Sequence, residues 1–151
     1  RHDVECIIHT HTLPGMAVSA MKCGILPIAQ SSMRFLDIAY HDYEGVALRL
    51  EERERLVQNL GNREAMVLRN HGLLAWGPRL PVTFYTLWIL QRACEIQCAG
   101  AALGPALEIP REIQLKCQAD AKVVNTNPEF ARENFDAMLR LVDRHDRSWR
   151  D

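Results

Sequence analysis

The chain has 151 residues, of which 48% are hydrophobic and 25% charged, as in an ordinary globular domain with one core. Its 18 basic and 19 acidic side chains leave a net charge of -1, which supplies no broad positive field to attract nucleic acid. The longest apolar stretches run to about ten residues, well short of the roughly twenty that span a bilayer. We therefore expect one domain over residues 1–151, with no nucleic-acid or membrane partner.

The cysteines bear on the cellular compartment of the chain, and its first residues bear on whether it is a fragment. The five cysteines form an odd set without CxxC spacing, and most have apolar neighbours, as small buried side chains do. This pattern favours a reducing, cytoplasmic compartment. The chain opens on Arg1-His2-Asp3 and enters a strand pattern within a few residues, which favours a fragment that lacks its N-terminal part.

The first predicted element is a strand that carries two histidines. Residues 4–9 form a short, β-branched apolar run, which predicts a largely buried strand. Side chains alternate between the faces of a strand, so His9 and His11 project from one side if the strand geometry persists to residue 11. Their Cα atoms would then lie roughly 7 Å apart, and both side chains could reach one ion.

A helix, two short strands and a second helix are predicted next. Pro14 suits a first helical turn and Gly24 the position just past a helix end, so a helix begins immediately after the histidines. Residues 25–28 and 35–40 are predicted to be short strands. Residues 51–60 are charged on most faces but carry apolar side chains at helical spacing, which predicts a half-exposed helix.

The second half of the chain is predicted to hold two strands and two helices. Residues 65–68 and 73–76 have strand patterns, and His71 lies at the turn between them. Residues 81–103 have the pattern of one long helix, and residues 127–142 that of another, which begins with a capping asparagine.

These elements predict an α/β fold in which helices cover the faces of a sheet. The strands predicted within residues 25–40 and 65–76 are short, and we expect turns rather than crossover helices to join them. Much of the sheet is therefore expected to be antiparallel.

Three histidines are the candidate metal ligands of the chain. Neutral imidazole is a common zinc ligand, and a catalytic zinc site needs about three protein ligands, which leaves a position open for water or substrate. His9, His11 and His71 supply that number from a strand and a turn, which are rigid elements that can converge. The alternative is that His9 and His11 are a hydrogen-bonded pair near a sheet edge.

Other titratable side chains are weaker candidates. His41 lies beside a turn signal, where it would cap or hydrogen-bond rather than touch the site. Cys94 and Cys98 have i, i+4 spacing that could bind metal, but they lie within an apolar helical pattern that favours burial. Two more histidines stand among charged residues near the ends and are expected to be solvated: His2 and His145.

Four blocks of this sequence resemble the class II aldolase/adducin family. Residues 7–12 (IIHTHT) are similar to its His-Thr-His metal motif, and residues 67–74 (VLRNHGLL) to its Asn-His-Gly motif. Residues 17–24 (AVSAMKCG) and 39–45 (AYHDYEG) resemble the adducin-like branch in particular. Together the blocks make a specific match.

The resemblance implies a fold, an assembly and a chemistry. The family fold is a three-layer α/β/α sandwich around a mainly antiparallel sheet, usually assembled as a homo-tetramer with active sites between subunits. By resemblance, His9, His11 and His71 would hold Zn²⁺, with Mn²⁺ or Fe²⁺ as alternatives. In the family enzymes this ion stabilises the enediolate formed when a carbon–carbon bond of a sugar phosphate breaks.

This sequence departs from the family enzymes in its acid–base and phosphate-binding parts. Their acidic catalytic residue and their phosphate-binding loops lie upstream of the His-Thr-His motif, so the corresponding residues are expected upstream of Arg1. Glu5 is adjacent to the motif but does not match that acid. A tyrosine contributed by the partner subunit in some family aldolases has no match either, since Gln30 or Ser31 stands near its position.

Two functions from different classes follow. The first is a metal-dependent aldolase-type lyase, or an epimerase, that acts on a small hydroxy-carbonyl or sugar-phosphate compound. The second is a non-catalytic binding or scaffold domain like the head of the cytoskeletal adducins. The presence of all three candidate ligands favours the enzyme, and a metal with an open coordination position would discriminate between the two.

Overall fold

One four-stranded sheet organises the computed structural model, which describes residues 3–46, 50–125 and 127–150. The strand order is β1-β4-β3-β2, with β4 antiparallel to both β1 and β3 and with β2 parallel to β3. The mainly antiparallel sheet is thus confirmed. The strands are β1 (Cys6–Thr10), β2 (Ala39–His41), β3 (Ala65–Leu68) and β4 (Gly72–Gly77).

Five α-helices and two short 3-10 helices accompany the strands in the described part of the chain. None of these helices is both long and apolar enough to cross a membrane. The α-helices are α1 (Leu13–Ser19), α2 (Glu51–Leu60), α3 (Leu80–Ala101), α4 (Arg111–Asn125) and α5 (Pro128–His145), and the 3-10 helices are Gln30–Phe35 and Ser148–Arg150.

Alternation along the central strands produces three layers. In β3, Val67 faces the main core, where it packs with side chains of α1 and α3. Its neighbours Met66 and Leu68 face the opposite side, where Leu56 and Leu60 of α2 cover them. The sheet is therefore enclosed by α1 and α3 on one face and by α2 on the other, as the predicted sandwich requires.

The parallel pairing of β2 with β3 corrects one expectation about the connections. The segment between these strands contains α2, which packs against β2. A strand, a covering helix and a return strand form a crossover unit, which places the two strands parallel. The helix between residues 40 and 65 was expected, but its role as a crossover that makes β2 parallel to β3 was not.

Residues 25–28 are not a strand, and of residues 35–40 only the end belongs to β2. The backbone N–H of Ile25 donates to the Tyr40 hydroxyl, and that of Leu26 donates to the Gln97 side chain. Side chains thus satisfy backbone groups that a sheet ladder would otherwise satisfy. This apolar run packs as a loop against α3 rather than as a strand.

The first strand is less buried than predicted. Ile8 packs against the main core, whereas Ile7 is 62% exposed on the other face. Burial alternates residue by residue along β1, because one face packs on the main core and the other is exposed. The strand itself is confirmed, but the expectation that it is largely buried is wrong.

Candidate metal centre

The three predicted histidines meet at one end of the sheet. His9 lies in β1, His11 follows that strand, and His71 lies in the turn between β3 and β4. The Nε2 atom of His9 is 2.7 Å from Nε2 of His11 and 3.3 Å from Nε2 of His71. Nitrogens bound to one tetrahedral zinc ion lie about 3.3 Å apart, given Zn–N bonds of about 2.0–2.1 Å. The ligand atoms of all three histidines lie within 4.8 Å of one another, so the cluster could hold a zinc ion once the His9–His11 pair widens to the spacing that zinc requires.

A backbone contact sets the orientation of His9. Its Nδ1–H donates to the carbonyl oxygen of Leu73 at 2.8 Å. A carbonyl only accepts, so the proton lies on Nδ1 and the Nε2 lone pair is free to face the other two rings. Metal-ligating histidines are commonly fixed through their second ring nitrogen in this way.

The turn that carries His71 depends on the residue before it. Asn70 has a left-handed backbone, with φ of 56°, which asparagine tolerates better than most residues. Its N–H donates to the carbonyl of buried Ser19 at the end of α1, and the N–H of His71 donates to the Leu68 carbonyl. These bonds hold the turn against α1 and direct the imidazole toward β1.

Gly72 allows the two strands to approach each other beside the histidines. A Cβ atom at this position would lie 2.3 Å from the Thr10 carbonyl oxygen, 3.2 Å from the His11 ring and 3.4 Å from the His9 ring. A contact of 2.3 Å with backbone is not sterically possible. The glycine of the Asn-His-Gly motif therefore maintains the close β1–β4 approach that brings the three histidines together.

The cluster is open to solvent on one side. The side chains of His9 and His11 are exposed, and that of His71 is partly buried. Burial lowers the pKa of His71, the charges of His9 and His11 lower it further, and the Glu52 carboxylate acts in the opposite direction. A lowered pKa keeps an imidazole neutral, as metal binding requires. The open side leaves room for a water molecule or a small substrate.

His41 is buried at the end of β2 and has side-chain hydrogen-bond partners on α2, which confirms that it hydrogen-bonds beside the turn. It is 3% exposed at the end of β2. The amide of Asn59 donates to its Nδ1 at 2.8 Å, which leaves the proton on Nε2. That nitrogen faces Glu52 at 3.3 Å and Glu44 at 3.9 Å.

Sequence reasoning missed two residues near the cluster. The ring of Tyr43, which is 55% exposed, lies 6.3 Å from that of His71 in an edge-on arrangement. Glu52 is the acidic partner of His41. The helical period could have found Glu52, because it precedes Leu56 and Leu60 at four-residue intervals and thus shares the sheet-facing stripe of α2. No sequence signal identified Tyr43.

The remaining candidates lie elsewhere. Cys94 is fully buried in the core, where burial raises its pKa to about 12, and it lies on α3 with partly buried Cys98. Glu5 is exposed at the opposite end of β1 from His9. Gln30 and Ser31 line a separate cavity of about 450 Å³. His145 is exposed at the end of α5, and His2 is outside the described residues.

Comparison with known proteins gives two kinds of relative. The sequence model described as "Class II Aldolase and Adducin N-terminal domain" matches residues 1–98. A Pseudomonas aeruginosa protein provisionally named an aldolase class 2 protein is 49% identical over 115 residues, 75% of this chain and 44% of that protein. Mouse alpha-adducin is 36% identical over 155 aligned residues, 95% of this chain and 21% of the adducin. The chain spans less than half the length of either relative.

Solved structures agree with these relatives. An aldolase II superfamily protein from Pseudomonas syringae, 43% identical, superposes on 100% of this chain and 61% of its own with a TM-score of 0.93. L-fuculose 1-phosphate aldolase from Glaciozyma antarctica, 22% identical, superposes on 80% of this chain and 45% of its own with a TM-score of 0.68, which shows a shared fold. The matched family model, the relatives and these folds together show that the chain belongs to the class II aldolase and adducin family.

Proposed function

We propose that this chain is the metal-binding part of a metal-dependent lyase or epimerase that acts on a small hydroxy-carbonyl or sugar-phosphate compound. The observation that supports this function is the convergence of three imidazole Nε2 atoms on one point with an exposed side. The Nε2 lone pair of His9 can accept only one hydrogen bond, so a hydrogen-bonded pair accounts for one of its two imidazole neighbours, whereas a shared cation accounts for both.

The ligand set points to the metal. His9, His11 and His71 would hold Zn²⁺, and Mn²⁺ or Fe²⁺ are the alternatives, since imidazole suits all three. When bound, such an ion supplies Lewis-acid stabilisation of negative charge that develops on the substrate oxygens. The described residues contribute ligand orientation through the His9–Leu73 bond and an open face for the substrate.

Other parts of the proposed enzyme would come from outside these residues. We propose an acidic catalytic residue upstream of Arg1, because Glu5 lies at the wrong end of β1. We also propose a homo-tetramer in which neighbouring subunits complete the site, working in the cytoplasm on a small-molecule substrate. The catalytic acid and the tetramer derive from the family resemblance, and the cytoplasmic location derives from the pattern of free cysteines.

Metal content tests the central proposal. The purified protein, equilibrated with Zn²⁺ and freed of excess, should hold about one zinc per chain by elemental analysis. His71→Ala should lose nearly all of it, because two imidazoles leave too few ligands. His145→Ala, which removes an exposed histidine at the end of α5, is the matched control and should retain zinc. A wild-type protein that takes up no zinc, manganese or iron would contradict the enzyme proposal.

The similarity to alpha-adducin over 95% of this chain supports a second candidate, a non-catalytic binding domain. The two candidates differ in whether the centre accepts an exogenous ligand. Cobalt-loaded protein should change its visible spectrum when a small bidentate chelator such as glycolohydroxamate is added, if a coordination position is open. An unchanged spectrum would favour the binding domain.

A further inference from the structure

Tyr43 stands where the histidine cluster meets solvent. Its ring centroid lies 6.3 Å from that of His71, and the two rings are inclined by 75°. This spacing is within the range at which aromatic rings contact each other edge to face. His71 is partly buried, whereas Tyr43 is 55% exposed, so the tyrosine belongs to the rim of the cluster rather than to its interior. It therefore borders the space that a molecule bound at the centre would occupy.

The hydroxyl of Tyr43 is available to such a molecule. Among the described residues it has no hydrogen-bond partner, in contrast to the hydroxyl of Tyr40, which accepts the N–H of Ile25 at 3.0 Å. A phenol can both donate and accept a hydrogen bond. A molecule that covered this ring would bury an unpartnered hydroxyl unless it offered a polar atom as the partner, and a buried group without a partner costs affinity. The position therefore favours a ligand that carries oxygen over an apolar one.

The chain is anchored to α2 on both sides of Tyr43. Before it, His41 ends β2, and its ring accepts a hydrogen bond from the Asn59 side chain of α2 at 2.8 Å. After it, the Glu44 carboxylate accepts two hydrogen bonds from the Arg55 guanidinium of α2, with Nε 2.7 Å from Oε1. A forked pair of this kind is geometrically specific. These anchors limit the positions of the tyrosine backbone, so less conformational entropy is lost when a molecule binds there.

We propose that Tyr43 is a substrate-binding residue of this centre, whose hydroxyl donates a hydrogen bond to an oxygen of the bound molecule. This inference rests on the proposed function. A small hydroxy-carbonyl compound carries suitable acceptors at both of its oxygen-bearing groups. A hydrogen bond to a neutral oxygen contributes about two- to tenfold to affinity, and one to a charged oxygen contributes more than about tenfold.

The competing explanation is that Tyr43 only packs against His71. Such a ring contact depends on the aromatic ring and needs no hydroxyl. Tyr43→Phe separates the two explanations, because it keeps the ring and removes the hydroxyl alone. Tyr85→Phe is the matched control, since Tyr85 lines the separate cavity beside Gln30 and Ser31.

The affinity of the cobalt-loaded full chain for glycolohydroxamate, followed by the visible spectrum, decides between these explanations. Tyr43→Phe should bind this probe at least about fivefold more weakly than wild type, and Tyr85→Phe should stay within about twofold. The zinc Kd, measured by competition with a chromophoric chelator, should stay within about twofold of wild type in both variants, because neither phenol binds the ion. Metal-free Tyr43→Phe should unfold at the wild-type temperature, since its side chain is largely exposed.

Three results would overturn the inference and leave the proposed function in place. The first is a glycolohydroxamate affinity of Tyr43→Phe within about twofold of wild type, which would leave ring packing alone. The second is an equal loss in Tyr85→Phe. The third is a zinc Kd that weakens in Tyr43→Phe as much as the hydroxamate affinity does, which would make the tyrosine a ligand of the ion. A wild-type protein that takes up no metal, or whose centre does not accept glycolohydroxamate, would instead remove the proposed function and this inference together.

Discussion

Each residue of the Asn70-His71-Gly72 motif meets a different local requirement. Asn70 adopts the left-handed backbone, His71 presents its Nε2 to the cluster, and Gly72 lets the β4 backbone pass close to Thr10. The first and third requirements are steric, so they can be recognised from the residue types alone. The role of His71 depends on His9 and His11, which belong to a different segment of the chain.

Replacing Gly72 should separate the histidines. In Gly72→Ala the new methyl group would lie 2.3 Å from the Thr10 carbonyl oxygen, so β1 and β4 must move apart. We expect a loss of about 1–3 kcal/mol in the free energy of unfolding, as for other overpacked sites, and a zinc affinity at least about tenfold weaker. Urea unfolding and chelator competition measure the two effects.

Gly100→Ala is the control for that substitution. Gly100 lies within α3, and a Cβ atom there would meet no other heavy atom within 4 Å. Alanine favours a helix interior over glycine by about 1 kcal/mol, so this variant should be as stable as wild type or more so, with unchanged zinc binding. If Gly72→Ala behaved like Gly100→Ala, the close strand approach would not matter for the centre.

The candidate site was predictable in part. His9, His11 and His71 could be named from the sequence, because strand alternation and a glycine-flanked turn are local signals, and the family motif related the two segments. Their role as ligands stays a prediction, although their nitrogens meet. Tyr43 lies near His71 because of the path of the chain after β2, which no local pattern specifies.

At the scale of elements, long periodic segments were predicted well and short or loop-bound ones poorly. The helix predicted over residues 81–103 is α3, and the helix expected after Asn127 is α5. The Asn127 side chain caps α5 by accepting the N–H of Glu129. The strand at 25–28 failed because tertiary contacts with Tyr40 and Gln97 satisfy its backbone. Helix α4 was not predicted.

Arg34 joins three elements and should be sensitive to substitution. It is 8% exposed at the side chain, lies in the 3-10 helix Gln30–Phe35, and donates two hydrogen bonds to Glu64 and one to Thr86 of α3. Lysine cannot reproduce this fork. We expect Arg34→Lys to lower the free energy of unfolding by about 1–2 kcal/mol, since Glu64 is itself half-exposed.

An exposed ion pair between Arg63 and Asp37 is the control for Arg34. Arg63 binds Asp37 at 3.0 Å, but both side chains are largely exposed, at 41% and 72%. Exposed pairs contribute about 0–1 kcal/mol, so Arg63→Lys should change stability by less than about 0.5 kcal/mol. Chemical denaturation of both variants measures the difference, and equal losses would contradict the importance of the buried fork.

At the scale of the molecule, the sandwich places the candidate centre at the end of the sheet rather than within its core. The ends of β1 and β4 bring the candidate ligands together, and α1 supports the turn of His71. The sheet and the layer that contains α1 therefore both contribute to the site. The fold class followed from the pattern of elements, whereas the parallel pairing of β2 required knowledge of how α2 crosses the sheet.

A ligand that binds only the folded chain should stabilise all of these layers together. At a free zinc concentration of 100 times the Kd, the free energy of unfolding should rise by about 2.7 kcal/mol. For a chain of this size that corresponds to an increase of roughly 5–10 °C in Tm. Calorimetry with and without zinc measures the increase. His71→Ala should show none of it, and an equal increase in that variant would indicate zinc binding elsewhere.

The pairing of His9 with the residues around His71 has a further consequence, which concerns the order of events in folding. The two segments are 62 positions apart, so their imidazoles cannot meet until the chain between them has closed into a large loop. Helices such as α3 need no such closure and can form earlier. If the chain binds a metal ion through these histidines, uptake of the ion during refolding would therefore mark the moment at which β1 pairs with β4. We expect it after most of the helical signal has returned.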